Sequence, residues 1–371
     1  MKQAYQGKKS SNWILDKLSP ITTYRLETIA QLTFIFFIAL IMGGILIQGF
    51  SLYPLVFSML ISSILGPIVG LMEIAVYPTL LHKHSFLLVL FSKTLVNLLI
   101  VLLTLLPLAY LLGPWLLLQV PGLGVFLQVK QGVGIHLLLN NWHVLARAVI
   151  IILNVCLGVT FVYQMIQKMG RKVFWRFVTG KYHQPREENR IFMFLDLKGS
   201  TSIAEKIGHE LFSQLISDCY HDLTRPLLET EGEVYQYVGD QAVLTWLTVL
   251  GIQKANCVRC FYLFDEQIRK RERYYLQKYG IVPSFKAGMH CGKVMATQVG
   301  VLKSELVYHG DVVNTAARLE AECNRLVQKL LLSADLYQLL KPQNTYHYAF
   351  LQPIHLRGKK QELSVYTAQL N

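Results

Sequence analysis

A chain of 371 residues has room for two or three domains, but 53% apolar against 16% charged residues excludes a wholly soluble protein. The formal net charge of +13 reads as basic flanks of membrane helices meeting anionic lipid. Nucleic acid is not an expected partner, because no basic patch is interleaved with aromatic residues in the manner of single-strand binders.

Four apolar runs come first in the chain. Residues 31–50, "QLTFIFFIALIMGGILIQGF", carry no charge and match the length needed to cross a hydrocarbon core of ~30 Å. Further runs cover Tyr53 to Met72, Ser85 to Gly113 and Ala148 to Ile166. The first run is too long for a cleaved signal and lies about thirty residues in, so it is expected to remain as a span. Lys2, Lys8, Lys9, Lys17 and Arg25 precede it, the loop "QGFSLYP" after it has no cation, and "HKH" (82–84) follows the second run. "QKMGRKVFWR" follows the fourth. An even number of spans with both ends basic predicts both termini in the cytoplasm and a multi-pass membrane protein.

Between the third and fourth runs, residues 114–141 are apolar, contain Pro121 and Gly122, and carry Lys130 as their one charge. The segment fits a re-entrant or interfacial stretch, or part of an extracytoplasmic ligand surface. Glu73, Lys93 and Asn97 fall inside spans and need partners. Glu73 and Lys93 can pair across the bundle or snorkel, or the trio can form an input site for a sensed ligand. Cys257 and Cys260 form a CxxC in a stretch that reads as helix, where positions three apart share a face, and no second pair follows at zinc spacing.

The basic, aromatic stretch from Gln167 to Arg190 reads as a linker, with Pro185 marking its end. The expected organisation is therefore a cytoplasmic segment (1–29), a transmembrane domain (30–166), a linker (167–190) and a soluble domain (191–371). In the last, "RIFMFLD" reads as a buried strand and Ser202 to Glu229 as a helix. "GEVYQYVGDQAVLTW" reads as two strands joined at Gly239-Asp240, and Gly251 to Gln277 as a long helix. "SFKAGMHCGKVMATQVG" reads as a hairpin turning at Gly292, "SELVYHG" as a strand, and Asp311 to Arg325 as a helix. Strands and helices mixed in this way predict an α+β domain, one sheet covered by helices.

Two carboxylates stand out. Asp196 ends the first strand, in "FLDLKGST", and Asp240 sits in the turn between two later ones. On neighbouring strands they converge at one sheet edge, a donor set suited to Mg²⁺ or Mn²⁺ that also takes phosphate oxygens. The turn "LKGST" opens a helix and offers backbone N–H groups to phosphates. In "HGDVVNTAARLE", Asn314 and Arg318 stand four apart on one helix face, an amide beside a guanidinium. Such a pair can hold a ribose oxygen and a phosphoryl group whose charge is rising.

With "FLDLKGSTSIAE", "VYQYVGDQAVLTW", "MHCGKVMATQVG", "VYHGDVVNTAARLE" and the terminal "LRGKKQELSVY" in this order over about residues 188–370, the chain resembles the class III nucleotidyl cyclases. The membrane half is similar, more loosely, to the multispan anchors of some bacterial members. The resemblance implies an α-helical membrane domain of four spans followed by a cyclase domain, a mixed sheet covered by helices with a ferredoxin-like core. It also implies a homodimer with active sites at the subunit interface and two Mg²⁺ or Mn²⁺ ions per site. Asp196, the Leu197 backbone and Asp240 match the metal-binding positions, and Lys198, Gly199, Ser200 and Thr201 the phosphate-holding turn. Asn314 and Arg318 match the pair that orients the ribose and stabilises the transition state from the opposite subunit. Lys359 matches the lysine on the terminal phosphates, with Lys360 one register away. Gln236 and Val307 stand at the base-reading positions in place of the residues usual for either purine. The guanine-accepting glutamate is missing, which favours ATP over GTP as substrate. A glutamine amide, however, can donate or accept, so guanylate cyclase stays open. A catalytically silent nucleotide-binding domain is the remaining alternative, although every expected site position but the base readers is kept. "GST" also stands where "GFT" is common, losing an aromatic contact but not the turn.

Overall fold

The structure is a computed structural model and describes residues 20–48, 52–77, 84–119, 142–301, 304–343, 346–355 and 362–369. The chain divides between Val178 and Thr179 into two compact units.

The first unit contains α1 (Pro20–Gln48), α2 (Leu52–Ala75), α3 (Phe86–Gln119), α4 (Trp142–Met169) and α5 (Arg171–Val178). The first four are long and apolar enough to cross a membrane, in agreement with the four expected spans. Because α3 continues to Gln119, the start of the apolar connection is helical; residues 120–141 lie outside the described residues. Close approach of α1 and α2 depends on two glycines one turn apart on α2. A Cβ at Gly66 would stand 2.4 Å from Thr33 Cα, and one at Gly70 would stand 3.1 Å from Ile29 Cα. Small residues four apart bring helices together where lipid removes the hydrophobic drive for association. Leu32, Phe36, Val69, Val159 and Tyr163 fill the seam beside them.

The polar trio is bonded inside this unit. Lys93 Nζ donates to Glu73 Oε1 at 2.5 Å, so the pairing reading holds. Tyr77 Oη donates to Asn97 Oδ1, and Asn97 Nδ2 donates to Thr160 Oγ1, both at 3.1 Å. Removing one partner of a buried ion pair strands the other charge, at a cost of about 3 kcal/mol or more. Lys93→Ala is therefore expected to lower the melting temperature of the detergent-solubilised chain clearly. Joint replacement by Glu73→Leu and Lys93→Met should recover most of the loss. Melting unchanged in Lys93→Ala would show that the pair carries no stability.

The second unit contains β1 (Arg186–Leu197), α6 (Ser200–Ile207), α7 (His209–Glu229), β2 (Glu233–Val238), β3 (Gln241–Leu247), α8 (Thr248–Ile252), α9 (Asn256–Lys270) and α10 (Glu272–Tyr279). It continues with β4 (Phe285–Val299), β5 (Glu305–His309), α11 (Asp311–Glu322), β6 (Leu330–Ser333), α12 (Ala334–Leu340), β7 (His347–Ile354) and β8 (Leu363–Gln369). The strands form one mixed sheet in the order β2-β3-β1-β4-β6-β8-β7, with β5 paired to β4. All pairings are antiparallel except β4 with β6. β1 lies inside the sheet, between β3 and β4.

Alternation along β1 explains the layers. Ile191, Met193, Leu195 and Leu197 point into a core shared with Leu215 and Leu223 of α7 and Phe261 and Phe264 of α9. Phe192 and Phe194 point to the other face and meet Val243, Tyr308, Val312 and Ala316. Cys257 and Cys260 are free and buried in the first core, where burial pushes both thiols up, Cys260 to about 12. They are core residues of α9, as their spacing allowed.

Four expectations need correction. β1 begins at Arg186, inside the expected linker, because the charges there are paired within the sheet. Arg190 is buried, donates to Glu188 Oε2 at 2.8 Å and lies 4.8 Å over the Tyr308 ring. The helix expected over 202–229 is interrupted at Gly208. The one expected over 251–277 is split by the left-handed Lys254 and Ala255 and again at Arg271. The hairpin expected at Gly292 does not exist: β4 is one strand of fifteen residues. Its glycines accommodate α11 instead. A Cβ at Gly292 would stand 2.7 Å from Val312 Cγ2, and one at Gly288 only 2.1 Å from the Glu320 backbone nitrogen.

Candidate active site

The end of the sheet where β1 finishes gathers the acidic groups. Asp196 pairs in register with Gln241 of β3 on one side and Lys286 of β4 on the other. Asp240 stands one residue before Gln241, in the turn that Gly239 makes with a φ of 61°. Tyr220 of α7 donates to the Gly239 carbonyl at 3.1 Å and fixes that turn from below. The two aspartates are thus brought together as their strand positions predicted. Both are half-buried.

Two residues that the sequence did not single out complete the cluster. Lys286 Nζ lies 3.2 Å from Asp196 Oδ2 and 2.6 Å from Glu320 Oε1, so one ammonium bridges β1 and α11. Gln241 Nε2 reaches Glu320 Oε2 at 3.4 Å from β3. Burial pushes the Asp196 carboxyl above its ordinary range; the Lys286 hydrogen bond opposes this, and the Asp240 charge adds to it. Glu320 is likewise raised, first by burial, with Lys286 opposing and the Asp196 charge adding. A charged side chain inside the buried run "FKAGMHCG" was the available signal for Lys286, since buried cations need partners. Glu320, in "ARLE", carried no such signal.

Beside Asp196 the chain turns through Gly199, whose φ of 69° and ψ of 28° are left-handed and favour a residue without Cβ. α6 starts at the next residue. Its first intrahelical bond runs from Ile203 N–H to the Gly199 carbonyl at 3.0 Å, which leaves the N–H groups of Ser200, Thr201 and Ser202 without intrahelical partners. Lys198 differs from expectation: its N–H is bonded to the Ser284 carbonyl at 2.8 Å, so its backbone cannot also serve a phosphate. The Leu197 side chain is buried in the core, so that position can offer only backbone.

Asn314 and Arg318 stand four apart on α11, as expected, the first exposed and the second half-buried. Arg318 makes no ion pair with any described residue. Gln236 is exposed on β2, and Val307 is half-buried on β5. Lys359 and Lys360 lie outside the described residues. The set can hold a hard cation with hydrogen-bond donors for phosphate on one side, and it presents an amide and a guanidinium from a separate helix.

Residues 182–369 match the family model described as the adenylate and guanylate cyclase catalytic domain. The chain is 37% identical over 207 residues to adenylate cyclase 2 of Rhizobium meliloti (strain 1021), covering 56% of this chain and 57% of that protein. It is 36% identical over 76 residues to guanylate cyclase beta of Plasmodium falciparum (isolate 3D7), covering 20% of this chain and 2% of that protein. The chain therefore spans little more than half of the first relative and a small part of the second. The fold is similar to that of a bacterial light-regulated adenylyl cyclase, with a TM-score of 0.50 and 21% identity over 57% of this chain and 61% of that one.

Proposed function

The chain belongs to the family of adenylate and guanylate cyclase catalytic domains, and from that membership we propose that it is a membrane-anchored adenylate cyclase. In this reading it works as a homodimer at the inner membrane, with both termini and the catalytic domain, whose first strand begins at Arg186, in the cytoplasm. The observation that carries the reading is the convergence of Asp196 and Asp240 at one sheet end, beside the Gly199 turn.

The donors suit Mg²⁺ or Mn²⁺: hard carboxylate oxygens with the Leu197 carbonyl, and no sulfur or imidazole among the residues proposed to hold the ion. The raised Asp196 carboxyl supports the fit, because part of the rise is repulsion from Asp240 that a cation relieves. Bound there, two such ions would lower the pKa of the ribose 3′-hydroxyl and neutralise charge on the α-phosphate.

The chain's own groups do the rest. N–H groups from Ser200 and Thr201, aligned with the positive end of α6, hold phosphate oxygens. Asn314 orients the ribose, and Arg318 donates to the α-phosphate oxygens as charge builds on them. That Arg318 lacks an ion pair among the described residues supports its use toward the opposite subunit's nucleotide. Lys359 is assigned to the terminal phosphates. In-line attack of the 3′-oxygen on the α-phosphorus breaks the bond to the bridging oxygen, expels pyrophosphate and closes the 3′,5′-cyclic ring. Gln236 alone of the two base readers can hydrogen-bond a purine edge, and its amide is the observation that keeps GTP in view.

Purified full-length chain, incubated with ATP or GTP in Mg²⁺ or Mn²⁺ and read by mass spectrometry of the product, tests the proposal. Cyclic AMP is the expected main product. Cyclic GMP in excess would move the assignment to guanylate cyclase, and neither product would leave a silent nucleotide-binding domain.

The raised carboxyls of Asp196 and Glu320 also set a pH dependence. Protons compete with the cation for Asp196, so Mn²⁺ affinity should fall as pH drops, starting above the ordinary carboxylate range. Without metal the sign for stability is opposite. The folded chain takes up these protons before the unfolded chain does, so stability declines as pH rises from the unfolded value through the folded one. Mn²⁺ titrations by calorimetry, and chemical denaturation with chelator present, read the two trends. An Mn²⁺ affinity flat across that window would count against Asp196 as a ligand.

A further inference from the structure

The apolar window of α4, Val149–Met169, runs to the last residue of that helix. Gly170, with a φ of 83°, then turns the chain, and α5 starts at Arg171. With one residue between them, the first turn of α5 follows directly on the end of that apolar window.

The sequence of α5, "RKVFWRFV", suits neither hydrocarbon nor open water. Arg171, Lys172 and Arg176 exclude the hydrocarbon interior. Yet Val173, Trp175, Phe177 and Val178 are between 38% and 56% exposed, an apolar surface that open water disfavours. At 100° per residue, Val173, Phe177, Phe174 and Val178 fall on one arc of about 140°, with Arg171 about 20° beyond Val178 and Trp175 about 40° further round. Lys172 and Arg176 fall opposite the arc. Such an arrangement belongs to helices lying in the plane of a membrane surface, and tryptophan is enriched at that level. Lys168, in the last turn of α4, adds a further cation at the same depth.

We propose that α5 is an interfacial helix. Its apolar arc sits in the acyl boundary, and Arg171, Lys172 and Arg176 rest on anionic lipid headgroups. The chain then leaves the bilayer through a segment held by lipid, and turnover responds to anionic lipid content. The placement of α5 stands without the cyclase reading; the effect on turnover rests on it. Anionic lipid, rather than a second copy of the helix, is the occupant because charge complements charge there. Two facing copies would set like charges side by side. Each cation near an anionic surface strengthens its hold by about fivefold.

The test uses the full chain with Phe177→Cys carrying an environment-sensitive fluorophore, a selective label because all six native cysteines are buried. The protein is reconstituted in phosphatidylcholine vesicles with or without phosphatidylglycerol, which gives the surface the negative potential that attracts basic segments. The expected result is blue-shifted emission, quenched by nitroxides shallow in the acyl chains and more strongly with phosphatidylglycerol. Arg171→Gln, Lys172→Gln and Arg176→Gln together should abolish that lipid dependence. Turnover of the unlabelled chain should differ at least twofold between the vesicles and not in the triple variant. Aqueous emission in both vesicles would overturn the placement, as would self-quenching that depends on protein density and ignores lipid. Lipid-dependent emission with lipid-independent turnover would overturn the regulatory half. An absence of turnover in any vesicle, with the emission as expected, would instead point to failure of the cyclase assignment.

Discussion

Asp196→Ala and Asp240→Ala should each lower turnover by on the order of a hundred- to a thousandfold while leaving the fold intact, the scale of losing one strong electrostatic contact in a transition state. Each substitution removes one of the two carboxylates proposed to hold metal; neither side chain lies in a hydrophobic core, and after Asp196→Ala the buried Lys286 ammonium keeps Glu320 as its partner. Asp196 ends β1 beyond the last core residue on its face, and Asp240 sits in a turn. The variants are therefore expected to show the wild-type circular dichroism spectrum and a similar melting temperature. Asp240→Ala also removes the repulsion that the Asp240 charge exerts on the Asp196 carboxyl. Activity within about tenfold of wild type, about 1.4 kcal/mol of barrier, in either variant would remove the two-metal assignment.

The second large effect is a rescue. Arg318→Ala should be as inactive as Asp240→Ala, because it removes the guanidinium proposed to meet the α-phosphate. Mixed dimers of the two variants differ from both parents. One composite site then has Asp240 from one subunit and Arg318 from the other, and its twin lacks both. With random pairing about half the dimers are mixed, and each has one sound site of two, so activity should return to about a quarter of wild type. A mixture as inactive as its parents, with subunit exchange shown by differently tagged chains, would rule out sites shared between subunits.

The two aspartates were legible because each stands beside a glycine where a strand ends, so local sequence announced both the turn and the carboxylate. The four apolar helices were legible for a similar reason, since a charge-free run of that length has few other uses. Lys286 and Glu320 were hidden because their roles depend on register. Only the pairing of β1 with β4 sets Lys286 opposite Asp196, and only the packing of α11 on β4 brings Glu320 to the same ammonium. Gly292 misled for a related reason. A glycine inside a strand pattern can mark a turn or a close approach, and sequence alone favours neither. The seam glycines Gly66 and Gly70 lay in a span whose composition had already drawn attention to length rather than to spacing. Base choice was the least legible, because Val307 offers a purine nothing to bond.

Lys286 has a consequence for how the site fills. In the proposed site its ammonium offsets one of three neighbouring carboxylates, so a nucleotide arriving without a cation is expected to meet repulsion. A cation arriving alone meets attraction, tempered by the ammonium already lodged there. Each therefore improves the welcome for the other, and by thermodynamic linkage the improvement must be equal in both directions. The resident ammonium works as a placeholder. It holds Asp196 and Glu320 together across β1 and α11 against their mutual repulsion.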